Sequence, residues 1–484
     1  MTWRAPLRIL GRLLLVLAVA ELLPGLCSLL YGELADAVAF AGAAGATAVS
    51  GLILMFLGRG DSERLYRREG FLIVVGGWIL ASVFGALPYL LTGSLTHPAD
   101  ALFESASGFT TTGASVMTNI EGNGHGILFW RSFTQWLGGM GIIVLFVALL
   151  PELGAGARFL YKLEVPGPTA EALHPKVHDT ASILWKIYLG LSVALATLLM
   201  LAGMGLYDAL THTFSTLSTG GFSPRNASVA AFESPFIEII IVVFMILAGV
   251  NFSLYYGLRQ QWGLRSLLKD PELRIYLAIT FGIATLVSLI LLSSGTRDHA
   301  GRAFLDSIFQ VAGILTTTGF ATADYETWPN GARILIFSLM FVGGCAGSTS
   351  GGVKIMRFVI GLKAAVREAR LMFNPSHIIA VFVGGTAVPE TVVRSVMGFF
   401  FLYFSAWGLG TLLLTVGSPD LETAAGASIA TLGNIGPGLS AVGPAGNFAF
   451  FAAWQKLVMV ILMWLGRLEV YALVALMTVA FWRR

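Results

Sequence analysis

Four short stretches decide how this chain folds: Phe109-Thr110-Thr111-Thr112-Gly113-Ala114-Ser115, Ser218-Thr219-Gly220-Gly221-Phe222-Ser223, Thr316-Thr317-Thr318-Gly319-Phe320 and Thr431-Leu432-Gly433-Asn434. Each holds a Thr-x-Gly triplet, and the glycines Gly113, Gly221, Gly319 and Gly433 stand 108, 98 and 114 residues apart. A second mark keeps the register, because an aspartate lies thirteen residues before each glycine, at Asp100, Asp208, Asp306 and Asp420. Those matches favour Gly221 over Gly220 as the aligned residue of the second copy. One triplet alone would read as a helix ended by a glycine cap. Four in one register between apolar segments read as a repeat.

The lengths give the repeat a physical form. About ten residues separate each aspartate from its triplet, roughly 15 Å of helix, which reaches about halfway through a bilayer. The expectation is four re-entrant half-helices, each with its aspartate at the N-terminus, where a carboxylate caps free N–H groups and meets the positive end of the dipole. The negative ends then point at the bilayer interior and favour a cation. Beyond each half-helix the chain turns back in extended form, which is tolerated at membrane depth only where it lines a protected cavity. Four such loops around one axis would offer a ring of carbonyl oxygens in place of an ion's hydration shell.

Composition agrees. Of 484 residues, 56% are hydrophobic and 12% charged, against roughly 25% charged in soluble domains, so a soluble enzyme is excluded. The 57 glycines suit close helix packing and backbone-lined cavities, and the mean hydropathy is +0.78. A net charge of +3 leaves no basic excess for nucleic acid, and Cys27 and Cys345 form no disulfide or metal pattern. Apolar segments long enough to span lie near 9–30, 34–57, 70–92, 127–151, 181–204, 236–257, 273–294, 332–360, 391–416 and 447–482. The first, preceded by Arg4, Arg8 and Arg12, reads as an uncleaved span rather than a secretory signal, despite Ala18-Val19-Ala20.

Basic residues set the orientation. With both termini cytoplasmic, the inner side carries most of them, while the outer side holds Arg131, Arg225, Arg297, Arg302 and Arg333. Lys456 and Arg467 fall inside the last span. The fold expected is an all-α polytopic membrane protein, with two N-terminal spans and then four span–pore-helix–span repeats around a pseudo-fourfold pore. The divisions are 1–66 for the two-span unit, then repeats at 67–160, 161–266, 267–372 and 373–484.

On these triplets, on Leu432-Gly433-Asn434-Ile435-Gly436-Pro437-Gly438, and on the late Gly466-Arg467-Leu468-Glu469, the chain resembles the Trk/Ktr/HKT superfamily of potassium transporters over nearly its whole length. It is most similar to the TrkH branch, which has the extra pair of N-terminal spans. The resemblance implies potassium uptake across the plasma membrane, the bacterial inner membrane. It also implies a homodimer with one pore per subunit and a cytosolic nucleotide-binding regulatory ring of the TrkA type. The potassium ion is substrate, held at Thr111, Thr112, Gly113, Thr219, Gly220, Gly221, Thr317, Thr318, Gly319, Thr431, Leu432, Gly433 and Asn434. No organic cofactor is expected in this chain, and no enzymatic activity. In the HKT branch a serine at the first filter glycine accompanies sodium preference; Gly113 therefore points to potassium. Gly220 departs from the pattern at the middle of the second triplet.

Residues 343–352 hold five glycines, Gly343, Gly344, Gly347, Gly351 and Gly352, around Ser348, Thr349 and Ser350. At about 1 kcal/mol each relative to alanine, they should break the second span of repeat three into a loop that gates the pore. The alternative, close helix packing through small residues, would need the glycines on one face. Arg467 is expected to project into the cavity below the filter and hold the closed state, with a salt bridge to another helix as the bland alternative. Lys354 has the wrong spacing for a phosphate loop, and His174 and His178 lie in a basic loop with no further metal ligand nearby. Glu238 and Asn251 face either the pore or a neighbouring helix. Rival functions are a sodium-permeable pore of the same superfamily and a secondary solute carrier. A carrier would carry paired intramembrane carboxylates, which the sequence does not display.

Overall fold

The computed structural model describes residues 3–60, 67–141, 177–259, 269–377 and 379–482. Helices α1 (Arg4–Leu30) and α2 (Leu34–Leu57) form an antiparallel hairpin. They touch through small residues: a Cβ on Gly11 would stand 2.5 Å from the Gly51 carbonyl oxygen. Outward-facing Leu29, Phe56 and Val49 are about half exposed, the expected surface for a lipid solvent. Helix α1 runs unbroken through Ala18-Val19-Ala20.

Four related units follow. The first is α3 (Arg67–Gly85), α4 (Leu87–Leu91), the half-helix α5 (Pro98–Phe109) and α6 (His125–Gly139). The second is α7 (Val177–Leu201), half-helix α8 (Leu206–Leu217), α9 (Pro235–Ala248) and α10 (Phe252–Arg259). The third is α11 (Pro271–Ser293), half-helix α12 (Ala300–Leu315), α13 (Asn330–Leu339) and α14 (Ile355–Phe373). A two-residue hairpin, β1 (Phe382–Val383) with β2 (Thr386–Ala387), leads to the fourth. That unit is α15 (Glu390–Leu414), half-helix α16 (Leu421–Leu432), α17 (Ala453–Arg467), α18 (Tyr471–Met477) and α19 (Val479–Trp482). The expected junctions at 66/67, 160/161 and 266/267 involve residues outside the described ones, as does His174.

Among the described residues six helices are long and apolar enough to cross a membrane. The remaining expected spans are interrupted, and three of the interruptions were not foreseen from sequence. Helix α6 stops at Gly139, α9 gives way at Gly249-Val250-Asn251, and α17 ends at Arg467, meeting α18 at 116°. The uninterrupted span expected at 447–482 is therefore two helices, joined through Glu469 and Val470, both at positive φ (52° and 61°). Between α13 and α14, residues 340–354 contain no helix.

The aspartate rule needs one correction. Asp420 is the N-cap of α16, accepting from the Thr423 N–H at 2.6 Å, and Asp100 and Asp208 lie in the first turns of α5 and α8. Asp306 does not cap: α12 begins at Ala300, so the carboxylate sits deep in the helix, buried, paired with Arg297 and Arg302 at 2.7 Å. A longer third half-helix places the same offset in its interior.

Candidate functional site

The four half-helices end alike. After the capping residues Thr110, Ser218, Thr316 and Gly433 comes a left-handed residue: Thr111 (φ 55°), Thr219 (55°), Thr317 (59°) and Asn434 (52°). The following N–H groups, of Thr112, Gly220, Thr318 and Ile435, donate back to Ser107, Ser215, Gly313 and Ala430 at 2.8–2.9 Å. This is a Schellman end, built on β-branched threonine in three copies. A left-handed L-residue costs about 1–2 kcal/mol, which each loop offsets by the two backbone bonds that close it.

A second turn to positive φ follows at Gly113 (81°), Gly221 (78°), Gly319 (75°) and Gly436 (101°). Here glycine is required by space as well as by φ. A Cβ on Gly113 would stand 2.1 Å from the Gly220 oxygen, one on Gly221 1.9 Å from the Thr318 oxygen, and one on Gly319 2.1 Å from the Ile435 oxygen. One on Gly436 would stand 2.8 Å from the Thr112 oxygen, which closes the cycle. Each loop thus packs its glycine on the middle carbonyl of the next, in the order one, two, three, four, one.

The ring corrects the fourth triplet. Its geometric counterpart is Asn434-Ile435-Gly436, three residues later than Thr431-Leu432-Gly433. Thr431 and Leu432 belong to the last turn of α16, and Gly433 has ordinary helical φ (−80°) at the cap. The Thr-x-Gly spacing singles out Gly433 because the cap itself is glycine in this copy. Gly436 lies in the same glycine-rich stretch but sixteen residues after Asp420, outside the common offset.

Two cavities flank the ring. The outer one, about 100 Å³, is lined by Gly113, Gly221, Gly319 and Gly436 together with Ser223 and Pro437. The inner one, about 50 Å³, is lined by Gly139, Ser350, Gly351, Lys354, Gly466 and Arg467. Residues 343–352 press on the ring from the inner side. The Gly351 N–H donates to Thr317 Oγ1 at 2.6 Å, and Thr349 Oγ1 donates to the Leu217 and Ala248 carbonyls at 3.0 and 3.1 Å. Gly343 bonds Val353, Gly344 and Ser350 bond one another, and Gly347 accepts from the Phe252 N–H at 3.1 Å. Ser348 bonds Ser350 at 2.7 Å, and Gly352 lies against Gly343. Glu272, from the start of α11, accepts the N–H groups of Ala346 (2.8 Å) and Met356 (3.1 Å), tying both sides of the loop.

Arg467 is the last residue of α17 and reaches across the base of the ring. It donates to Thr111 Oγ1 and the Thr349 carbonyl, both at 3.1 Å, and to the carbonyls of Gly138 and Gly139. Glu469 is on no helix face shared with Arg467, since the helix has ended; its carboxylate takes Arg357. Lys456 pairs with Asp100 at 2.7 Å, and Glu238 with Arg302 at 3.0 Å on the neighbouring half-helix. Asn251 lies at the break after α9, its Oδ1 accepting from the Ser253 N–H.

Behind the ring lies a second shared position missed in the sequence. Nine residues before each ring glycine stand Glu104, His212, Gln310 and Ala427. Glu104 accepts from Ser115 Oγ at 2.9 Å and from Arg131 Nε at 2.8 Å, and His212 Nε2 lies 3.0 Å from Ser223 Oγ. The signal was available once Gly436 replaced Gly433 as the anchor. Cys27 and Cys345 are free, and among the described residues no cluster of three His, Cys, Asp or Glu could hold a metal ion.

Comparison with known proteins agrees with this architecture. A family model named TrkH, described as a cation transport protein, matches residues 38–481. The Trk system potassium uptake protein TrkH of Halomonas elongata is 41% identical over 490 residues, covering 100% of both chains. Its namesake in Escherichia coli K12 is 38% identical over 486 residues, again covering 100% of both. The crystal structure of the potassium transporter TrkH from Vibrio parahaemolyticus superposes with a TM-score of 0.90 at 37% identity, covering 100% of each chain.

Proposed function

The chain belongs to the TrkH family of cation transport proteins, and on that premise we propose that it takes up potassium across the bacterial inner membrane through the ring of four loops. The observation that carries this reading is the closed cycle itself, in which each ring glycine packs on the middle carbonyl of the next loop. Backbone held this tightly presents oxygens at fixed spacing, and fixed spacing is one way to favour one dehydrated cation over another. The filter is then Thr111-Thr112-Gly113, Thr219-Gly220-Gly221, Thr317-Thr318-Gly319 and Asn434-Ile435-Gly436. The negative ends of four half-helices converge beneath it and lower the cost of bringing a cation to that depth.

Residues 343–352 and Arg467 act as the gate. The loop occupies the inner side of the ring, and the guanidinium adds a positive charge where a cation would leave. Opening would require the bonds from Arg467 to Thr349 and from Gly351 to Thr317 to part. The chain works as a homodimer with cytoplasmic termini, under control of a TrkA-type nucleotide-binding ring. Rubidium uptake into proteoliposomes under an imposed voltage tests the function. Uptake that is competed by potassium well before sodium is expected; equal competition would make the chain a sodium-permeable pore, and uptake that needs a proton gradient would make it a coupled carrier.

A further inference from the structure

The ring is fourfold in backbone but not in chemistry. In loops one and three the middle residue is threonine, and its hydroxyl bonds the hydroxyl of the capping threonine: Thr110 to Thr112 at 2.8 Å, Thr316 to Thr318 at 2.7 Å. These pairs fasten the loop to the end of its half-helix. Loop two has Ser218 at the cap and Gly220 in the middle, so the second hydroxyl is missing. Its place is taken from outside the loop. Gln135, fully buried on α6, donates from Nε2 to the Gly220 oxygen at 2.7 Å and accepts from the Phe222 N–H at 3.0 Å. A Cβ on Gly220 would lie 2.4 Å from Gln135 Cδ, so the glycine and the glutamine compete for one volume.

Resting on the reading of the four loops as a filter, we infer that Gln135 is a positioning residue that determines ion selectivity by bracing the second loop in place of the absent threonine. Gly220 and Gly221 are adjacent glycines, the pair with the widest backbone freedom; the Gly221 N–H reaches the Ser215 carbonyl only at 3.4 Å, so Gln135, at 2.7 Å from the Gly220 oxygen, is the close hold on the peptide between them. Gln135 grips that segment on both sides, at Gly220 and at Phe222. Its donor also engages the Gly220 oxygen, which is the atom packed against Gly113 of the preceding loop. Loss of the brace therefore disturbs the first loop as well. Loop four has a carboxamide too: Asn434 Nδ2 donates to Thr112 Oγ1 at 2.9 Å and lies 3.1 Å from the Met463 oxygen. The ring alternates, with hydroxyl pairs in loops one and three and carboxamides at loops two and four.

The test exchanges the two braces in the full chain reconstituted in proteoliposomes, with the potassium-over-sodium permeability ratio read from reversal potentials. Gln135→Ala is expected to lower the ratio about tenfold, the effect of leaving buried polar groups unpaired. Gly220→Thr alone should lower it as well, since the new side chain strikes Gln135. Gln135→Ala combined with Gly220→Thr places a hydroxyl beside Ser218, as in loops one and three, and should return the ratio to within about threefold of the parent. A ratio unchanged in Gln135→Ala overturns the inference, and so does a double variant no better than the single. If the single variant does not assemble, the double decides alone, and its failure to assemble counts against the exchange. Gly113→Ser is measured alongside. If that too leaves the ratio unchanged, the loops are not the filter; if it lowers the ratio while Gln135→Ala does not, only the role of Gln135 falls.

Discussion

A serine placed at Gly436 and, separately, at Gly433 distinguishes the two registers open to the fourth loop. At Gly436 the backbone has φ of 101°, and a Cβ would approach the Thr112 carbonyl oxygen to 2.8 Å. Residues forced into such backbone cost on the order of 1–3 kcal/mol, and the neighbour that must yield is itself part of the ring. Spread into ion discrimination at 1.4 kcal/mol per factor of ten, that strain predicts a fall of roughly 5- to 150-fold in the potassium-over-sodium ratio. At Gly433 the φ is −80°, which any residue adopts, and the equivalent positions already carry Thr110, Ser218 and Thr316. The Cβ there would meet Ile435 Cδ1 at 2.8 Å, the movable end of a side chain, and the Ile429 oxygen at 2.9 Å. The Ile429 oxygen is backbone, but Thr110, Ser218 and Thr316 carry their side chains while bonding the same i−4 oxygen, so a cost of about 1 kcal/mol or less keeps the change within about fivefold. Reversal potentials under bi-ionic conditions measure both. If Gly433→Ser is the more damaging substitution, or the two are equal, Gly436 is not the ring glycine of the fourth loop.

Three further outcomes follow from contacts below and behind the ring. Arg467→Ala releases the Thr349 carbonyl and removes the inner charge, so basal rubidium flux should rise while potassium preference changes little; no rise at matched protein level, with a lowered melting temperature, would mean the arginine is only structural. Glu272→Ala leaves the N–H groups of Ala346 and Met356 without their acceptor, at about 1–3 kcal/mol each, and should raise basal flux by loosening the loop. Flux no higher than that of the parent would remove Glu272 from the gate. Arg131→Met strands the fully buried Glu104, a loss of about 3–5 kcal/mol that should appear as a lower melting temperature in detergent. Adding Glu104→Gln should recover much of it, and a single variant as stable as the parent would show that the pair carries no such weight.

The sequence by itself determined the membrane class, the two leading helices, the four repeats and the existence of half-helices, because apolar length and a Thr-x-Gly spacing are one-dimensional properties. The glycine density of 343–352 likewise announced a break, since glycine weakens any helix wherever it lies. What only the tertiary structure decided depends on which residues meet across the repeats. Gly433 and Gly436 are indistinguishable as letters, and the second takes the ring position because a Cβ on it would stand 2.8 Å from the Thr112 carbonyl oxygen, 324 residues away (436 − 112). In the sequence Gly220 is a departure from the motif; in the fold Gln135 fills the volume a side chain there would need. The breaks at Gly139, Gly249 and Arg467 have only one to three glycines each to mark them, against five in 343–352, too few to overcome helix propensity. In the folded chain close contacts make those glycines necessary: a Cβ on Gly466 would stand 1.9 Å from the Leu432 carbonyl and one on Gly138 1.8 Å from that of Phe109. Close approach between segments hundreds of residues apart is a property of the fold, and it is what seats the ring.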